Sequence, residues 1–143
     1  MNVRIKKMRE DAKIPEYSHE GDSGMDLYAS EDLTIMPGER KLVGTGIKIA
    51  LPRGIEAQVR PKSGLAVNSG ITVLNTPGTI DSGYRGEIKV ILVNLGNKAF
   101  KVGKGKKIAQ MVFARVEFPE VSLVEKLDET KRNGGGFGST GLE

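Results

Sequence analysis

The last stretch of the chain combines residue types that can bind a flat, negatively charged ligand. Residues 134–141 read GGGFGSTG, and Arg132 lies just before them. The glycines allow successive backbone N–H groups to converge on an anion, and Ser139 and Thr140 add two hydroxyl donors. Arg132 offers a bidentate cation for a terminal phosphate, and Phe137 offers a flat face for a base. A linker has a similar composition, but the isolated phenylalanine favours a binding loop.

A second group of polar residues lies in the turn-rich segment 75–89, which reads NTPGTIDSGYRGEIK. Asp81 stands between Ile80 and a Ser-Gly turn, so we expect its carboxylate to be held on a rigid β-hairpin. A carboxylate held in this way can act as a general base that accepts a proton from water. The alternative is a structural aspartate that caps the turn, and the sequence Asp-Ser-Gly taken alone favours that alternative.

Three shorter segments carry further polar or charged residues. Lys62, Ser63 and Gly64 place a cation, a hydroxyl and accessible N–H groups together after a predicted strand. Gln110 lies in an apolar strand, where it is either a satisfied core amide or a ligand, and taken alone the core amide is favoured. Asp26 lies in another strand, where a carboxylate requires a partner or a nearby cation.

Short runs rich in valine and isoleucine, separated by Gly, Pro, Asn and Asp, must position these residues, because helical periodicity is nearly absent. The pattern predicts an all-β sandwich, jelly roll or barrel. Residues 89–95 are apolar on both faces, so we expect a second sheet or another subunit to cover them. The predicted strands are residues 3–8, 25–29, 41–51, 55–60, 71–74, 87–95, 99–102, 108–116 and 121–125, with one helical turn at 63–68.

Length and composition limit the possibilities further. The chain has 143 residues, which fit one domain with a single core. It has no cysteine and only one histidine, which excludes disulfides, thiolate zinc sites and cysteine nucleophiles. The net charge of +4 suits an anionic ligand. A charged N-terminus and the lack of an apolar run of about 20 residues predict a soluble cytoplasmic protein with no membrane partner.

The composition changes after residue 127, which predicts a β domain over residues 1–127 and a flexible arm over residues 128–143. The arm contains five glycines and a single aromatic residue, too little apolar surface to order itself alone. Fully extended from residue 126, it could reach roughly 55 Å at about 3.3 Å per residue. The arm is therefore long enough to reach a neighbouring subunit.

Taken together and in this order, these five segments resemble the five signature motifs of the trimeric dUTPase family, and the resemblance spans nearly the whole chain. The most specific motif is GFGSTG, with an arginine five positions before its phenylalanine. The resemblance implies a distorted jelly-roll subunit of the β-clip type, a homotrimer with active sites at the subunit interfaces, and an arm that closes over a neighbour's site. It also implies Mg²⁺-assisted hydrolysis of dUTP to dUMP and pyrophosphate, which supplies dUMP for thymidylate synthesis and keeps uracil out of DNA.

The resemblance also implies roles for the residues of segment 75–89. Asp81 would deprotonate the water that attacks the α-phosphorus, and Tyr84 would lie beneath the deoxyribose and exclude a 2′-hydroxyl. A slot formed by the two sides of the predicted hairpin would read uracil and leave no room for the thymine methyl. The residues that would read uracil are Asn75 and, through the backbone, Thr79, Ile80 and Lys89.

The other motifs would hold the phosphates. Mg²⁺ would be bound mainly through the substrate triphosphate, and Asp26 would reach the ion only through water. The resemblance places Lys62, Ser63, Gly64 and Gln110 on the phosphates from a different subunit, and Arg132, Phe137, Gly138, Ser139 and Thr140 in the arm that closes over the nucleotide.

The sequence departs from the family pattern at two positions. Lys62 stands where arginine is usual, which removes a bidentate fork, and Lys106 stands where an acidic or polar residue is common.

Other functions compete with this interpretation. A dCTP deaminase or a bifunctional deaminase-dUTPase is similar in fold, but the deamination needs a glutamate base, and these enzymes lack the full arm. A nucleic-acid-binding β-barrel would interleave aromatic residues with cations, whereas aromatics here are 5% of the chain and scattered, so we expect no nucleic-acid partner. A third possibility is a trimeric regulatory protein that keeps the fold and binds a partner. Because the candidate catalytic residues are intact, we expect such a role to be additional to catalysis.

Overall fold

The structure is a computed structural model that describes residues 1–141, so Leu142 and Glu143 at the end of the predicted arm lie outside it. Within these residues the chain forms ten strands and one helix. The elements are β1 Arg4–Lys7, β2 Gly24–Tyr28, β3 Leu33–Ile35, β4 Arg40–Ala50, β5 Ile55–Arg60, α1 Ser63–Ser69, β6 Ile71–Val73, β7 Gly78–Ile80, β8 Glu87–Asn94, β9 Phe100–Val102 and β10 Lys107–Arg115.

The strands form two four-stranded antiparallel sheets with one core. The first sheet has the order β1-β4-β8-β6, the second has the order β2-β10-β5-β7, and β3 pairs with β9 in a short ribbon. The chain crosses repeatedly between the sheets, which is the arrangement of a distorted jelly roll and confirms the predicted all-β fold. The largest fully buried side chains include Leu27, Ile47, Leu92, Ile108 and Met111, and the burial of each stabilises the fold by about 1.5–3 kcal/mol.

All but one of the predicted strands are present, with small differences at their ends. The prediction of a strand at 121–125 is wrong, because β-strands are stabilised by cross-strand partners and this segment has none within residues 1–141. Val121 and Leu123 are fully solvent-exposed there. Strands β3 and β7 were missed by the sequence pattern, because each is three residues long and is flanked closely by turn-forming residues such as Pro37 and Pro77.

The predicted helical turn is confirmed as α1, one residue longer than expected. Gly70 ends the helix with φ 67, and its N–H donates to the carbonyls of Leu65 and Ala66. A side chain at Gly70 would place its Cβ only 2.6 Å from the backbone nitrogen of Gly96, so glycine is required for both backbone conformation and space. Across the described residues, no helix is both long and apolar enough to cross a membrane.

Candidate functional site

A cleft of about 320 Å³ lies where β7 ends and β8 begins. The structure thus brings together all the candidate residues of segment 75–89, although they come from two strands and the loops beside them. Two apolar residues, Leu42 of β4 and Ile91 of β8, line the same cleft from the outer face of the first sheet. The full lining is Leu42, Asn75, Thr79, Ile80, Asp81, Tyr84, Glu87, Ile88, Lys89 and Ile91.

The two sides of segment 75–89 do not pair with each other. β7 pairs with β5 in the second sheet, whereas β8 pairs with β4 and β6 in the first. The prediction of a β-hairpin is therefore wrong, because the backbone groups of the two strands find their partners in different sheets. The strands separate as a result, and the cleft opens between them. In the part of β8 that borders the cleft, Ile88 and Val90 pack in the core, while Lys89 is exposed and Ile91 is half-buried on the opposite face.

Asp81 lies in a braced turn that follows β7. The Tyr84 N–H donates to the Asp81 carbonyl at 3.1 Å. The Arg85 guanidinium donates to the carbonyl of Ser82 at 2.7 Å and to that of Tyr84 at 2.9 Å. Within residues 1–141 the Asp81 carboxylate has neither a hydrogen-bond donor nor an ion-pair partner. Its oxygens are therefore free to bind water or a ligand.

The Tyr84 ring is fixed against the wall of the cleft by two features. Its hydroxyl donates a hydrogen bond to the Glu87 carbonyl at 2.9 Å. A Cβ at Gly86 would lie 2.3 Å from the Tyr84 hydroxyl oxygen, so the ring occupies space that only glycine leaves open. The ring is still 46% exposed, and it can contact a ligand in the cleft.

Glu87 is a cleft residue that the sequence analysis missed. Its Oε1 accepts a hydrogen bond from the Gly46 N–H at 3.1 Å, and its Oε2 lies 3.7 Å from Lys89 Nζ. The Gly46 amide belongs to the irregular part of β4, where the register with β8 shifts between Gly44 and Lys48. Glu87 therefore ties the start of β8 to this bend. An acidic residue at the start of an apolar strand was the available signal.

A second cluster forms around Gln110 and Asp26 in the second sheet. Gln110 lies opposite Asp26 of β2 and Arg60 of β5. Its amide nitrogen donates to the Pro61 carbonyl at 2.9 Å. A Cβ at Gly24 would lie 2.2 Å from Gln110 Oε1, so the absence of a side chain there makes room for the amide. Gln110 is half-buried, and the structure places it beside the start of α1.

Asp26 is buried, with 4% of its surface exposed, and it is surrounded by donors. Lys62 forms an ion pair with its Oδ1. Lys107 and Ser18 both reach its Oδ2 at 2.8 Å. Burial raises the pKa of the Asp26 carboxyl, but hydrogen bonds from Lys107, Lys62 and Ser18 outweigh burial and lower the pKa from 3.8 to about 2. The predicted need for a nearby cation is confirmed.

The donor set around Asp26 bears on the predicted Mg²⁺. Both carboxylate oxygens already accept hydrogen bonds from cationic side chains, which disfavours direct coordination of a further cation. Over the part of the chain that the structure describes, no group of three or more His, Asp or Glu side chains is arranged to hold a metal ion. These residues fit an ion that is bound through phosphate and water oxygens.

The cleft that contains Asp81 and the cluster around Gln110 and Asp26 lie far apart within one chain. Ile80 pairs with Ala57, so the next residue, Asp81, is level with Glu56 of β5. Lys62 follows the other end of β5 in extended conformation, six residues further along. At about 3.3 Å per residue, roughly 20 Å separate Asp81 from Lys62. A single chain therefore does not bring the phosphate-binding candidates to Asp81.

The described residues of the arm make no hydrogen bond to the cleft or to the cluster around Gln110 and Asp26. Within residues 1–141, the hydrogen bonds of the arm join only arm residues, including one from Arg132 Nε to the Gly135 carbonyl at 2.8 Å. A Cβ at Gly135 would meet Ser139 Oγ at 3.2 Å, so local turns bring Arg132 and Ser139 to the same glycine. Phe137 is fully exposed, with a left-handed backbone at φ 51. The arm presents its candidate residues to solvent.

Comparison with known proteins identifies relatives over nearly the full chain. The family model described as dUTPase matches residues 10–141. A deoxyuridine 5′-triphosphate nucleotidohydrolase of Clostridium tetani is 56% identical over 139 residues, covering 97% of this chain and 96% of that protein. A protein of the same name from Gloeothece citriformis is 58% identical over 142 residues, with coverage of 99% and 98%.

Solved structures share the fold at lower sequence identity. The dUTPase of Staphylococcus bacteriophage 80alpha, solved with dUPNHPP, has a TM-score of 0.92 and 23% identity, and the match covers 99% of both chains. A variant dUTPase from phage phi11 of S. aureus, in which a structural Mg(II) ion is coordinated, has a TM-score of 0.84 and 21% identity, and the match covers 90% of this chain and 100% of that one. These similarities establish the fold.

Proposed function

This chain belongs to the dUTPase family and is a dUTP diphosphatase, and we propose that it acts through attack of water on the α-phosphorus, with Asp81 as general base. The water oxygen bonds to the α-phosphorus, the bond from that phosphorus to the bridging oxygen of the β-phosphate breaks, and Asp81 accepts the proton. The products are dUMP and pyrophosphate. The observation that carries this proposal is the unpartnered Asp81 carboxylate in a cleft between the two sheets.

Uracil and deoxyribose occupy the cleft in this proposal. Asn75 and the backbone of Thr79, Ile80 and Lys89 line it from two strands, and they supply donors and acceptors whose roles cannot be exchanged. A set that matches uracil therefore mismatches cytosine at N3 and at the exocyclic amine. Tyr84 lies against the sugar and excludes a 2′-hydroxyl, which discriminates against UTP.

The phosphates are bound by a second copy of the chain. The separation of roughly 20 Å between Asp81 and Lys62 along β5 is longer than a triphosphate, so one chain cannot supply both ends of the site. A closed ring of three chains would join the cleft of one subunit to Lys62, Ser63, Gly64 and Gln110 of the next. We therefore propose a homotrimer with its active sites at the subunit interfaces.

Phosphate and water oxygens are the ligands that Mg²⁺ prefers, so the ion would be held mainly by the substrate triphosphate and would neutralise phosphate charge. Asp26 is saturated by its own donors, so it would interact with the ion only through water. Arg132, Gly138, Ser139 and Thr140 of the arm then close on the phosphates while Phe137 stacks on the uracil. Charge neutralisation and positioning, together with the base, supply the rate.

Turnover in labelled water tests the reaction. With Mg²⁺ and dUTP in ¹⁸O-water, the label should appear in dUMP and not in pyrophosphate, because the attacked atom is the α-phosphorus. The turnover of UTP, dCTP and dTTP should be lower by orders of magnitude. Label in pyrophosphate would contradict the proposed site of attack, and equal turnover of dTTP would contradict the cleft as the base-reading site.

Co-expression of two inactive variants tests the shared site. Asp81→Asn removes the base and Lys62→Met removes a phosphate cation, and neither variant alone should turn over dUTP well. Mixed oligomers should recover activity, because an intact Asp81 from one chain can meet an intact Lys62 from another. No recovery in mixed oligomers confirmed by mass would show that each site is built from one chain. Dimeric or monomeric mass of the wild-type protein would contradict the homotrimer.

A further inference from the structure

Two side chains near Lys62, those of Ser18 and Lys107, have no part in the proposed reaction. Ser18 Oγ donates to Asp26 Oδ2 at 2.8 Å, and Lys107 Nζ lies 2.8 Å from the same oxygen. Lys107 Nζ also donates to Ser18 Oγ at 3.2 Å. The three groups thus form a closed ring of hydrogen bonds on one side of the carboxylate. The other oxygen, Oδ1, is left to Lys62.

We propose that Lys107, with Ser18, is a positioning residue for substrate phosphate binding: it holds the Asp26 carboxylate so that Lys62 remains available to the triphosphate. This inference rests on the proposed function, in which Lys62 binds phosphate. Lys107 acts through Asp26 and Lys62.

Charge and exposure support these two roles, in which Lys62 binds phosphate and Lys107 holds Asp26. The Asp26 side chain is 6% exposed, whereas the Lys62 side chain is 29% exposed, so a ligand can reach Lys62 but not the carboxylate beneath it. Lys62 and Lys107 together with the Asp26 carboxylate carry a net charge of +1, which attracts an incoming phosphate. Pairing with Asp26 raises the pKa of Lys107, so its positive charge is secure at neutral pH.

Loss of Lys107 would change what Lys62 does. A buried carboxylate needs compensating charge and hydrogen bonds, and Lys107 supplies part of both. Without it, Lys62 is the one cation paired with Asp26 among residues 1–141, and the ion pair competes more strongly with phosphate for the Lys62 ammonium. The site would then have a net charge of zero. The affinity for phosphates should fall, while the cleft that binds the nucleoside is untouched.

Lys106 offers a matched control for Lys107. The two lysines are adjacent and carry the same charge, but within the described chain the Lys106 ammonium has no hydrogen-bond or ion-pair partner. Lys107→Met and Lys106→Met therefore remove the same charge from nearly the same place. A difference between the two variants reports on the contact with Asp26 and not on the overall field.

Steady-state kinetics with two inhibitors tests the inference. Lys107→Met should raise the KM for dUTP and the inhibition constant of pyrophosphate about tenfold, the value of one charge-assisted hydrogen bond, with kcat changed less than about twofold. The inhibition constant of deoxyuridine, which has no phosphate, should not change. Lys107→Arg should restore most of the loss, and Ser18→Ala should show the same pattern at smaller size. Lys106→Met should match the wild type.

A double-mutant cycle separates positioning from direct contact. In an Asp26→Asn background, Lys107→Met should have no further effect on pyrophosphate inhibition, because the group through which it acts is gone. An undiminished effect in that background would mean that Lys107 touches phosphate itself, and the inference would be overturned. If Asp26→Asn does not fold, Lys62→Met provides the second arm of the cycle, because Lys107→Met should have no further effect once the Lys62 ammonium is gone.

Two outcomes distinguish this inference from the proposed function. A wild-type protein that does not hydrolyse dUTP would contradict the proposed function. Wild-type protein that is active, with Lys107→Met indistinguishable from Lys106→Met in pyrophosphate inhibition, would leave the function intact and overturn the positioning role. A parallel loss of pyrophosphate and deoxyuridine binding would also overturn it, because it would indicate a general structural defect.

Discussion

In the proposed reaction, the cleft and the arm bind the same nucleotide in opposite ways. The cleft is set between two sheets, and its side chains are held by strand register, by the Arg85 bonds across the turn and by the contact of Tyr84 with Gly86. The arm residues up to 141 form hydrogen bonds only with one another, and Phe137 faces solvent. A rigid cleft can discriminate among bases without reorganising, whereas the arm must lose conformational entropy on binding. We therefore expect the cleft to determine which nucleotide is selected, and closure of the arm to determine how efficiently the bound nucleotide is hydrolysed.

The largest expected effect comes from the cleft. Asp81→Asn keeps the shape of the side chain but removes the base, so kcat should fall by about 10²–10⁴-fold. The affinity for a non-hydrolysable dUTP analogue, measured by calorimetry, should remain within about twofold of the wild type. A variant that kept more than a tenth of the wild-type kcat would show that the base lies elsewhere.

Removal of the arm should be the next largest effect. Deletion of residues 131–143 should lower kcat/KM about 100-fold, because the phosphates and the attacking water lose their closing partner. The free energy of unfolding in urea should not change, since the described residues of this segment make no hydrogen bond to the β domain. Full activity of the truncated protein would disprove the closing role, and a large loss of stability would show that the arm is part of the folded core.

A smaller change in the cleft should alter selectivity alone. A methyl group at residue 86 would overlap the Tyr84 ring, so Gly86→Ala should displace the ring and reduce the preference for dUTP over UTP about tenfold. Gly83→Ala is the matched control, because a Cβ at Gly83 in the same turn meets no atom within 4 Å. The ratio of kcat/KM for the two nucleotides measures the effect. Equal ratios in both variants would show that the position of Tyr84 does not set the selectivity.

The smallest expected effect concerns stability at acid pH. Because the pKa of Asp26 is lowered to about 2 in the folded protein, its pairing stabilises the fold above pH 3.8 and is lost as the pH falls towards 2. The shift corresponds to about 2 kcal/mol. Urea unfolding at pH 6 and pH 2.5 should show this loss in the wild type and in the arm deletion, but not in Asp26→Asn. The same loss in Asp26→Asn would assign the pH dependence to other carboxylates.

Much of the architecture could be predicted from local sequence patterns. Strand alternation is a short-range property, so the runs that became β4, β5, β8 and β10 were visible in the order of apolar and polar residues. The failure at residues 121–125 has a physical reason. β-propensity reports a side chain that suits a pleated surface, but only a partner strand makes the segment a strand.

The order of residues was enough to show which chemical groups the protein carries and in which short segments they lie: a carboxylate beside a turn, a cation before a helix, and a glycine-rich arm. The contacts between these segments were set by the tertiary structure. It placed β7 and β8 in different sheets and so opened the cleft, it brought Ser18 and Lys107 to Asp26, and it separated Asp81 from Lys62. These contacts join residues distant in sequence, and they depend on the pairing and register of whole strands, which no local pattern encodes.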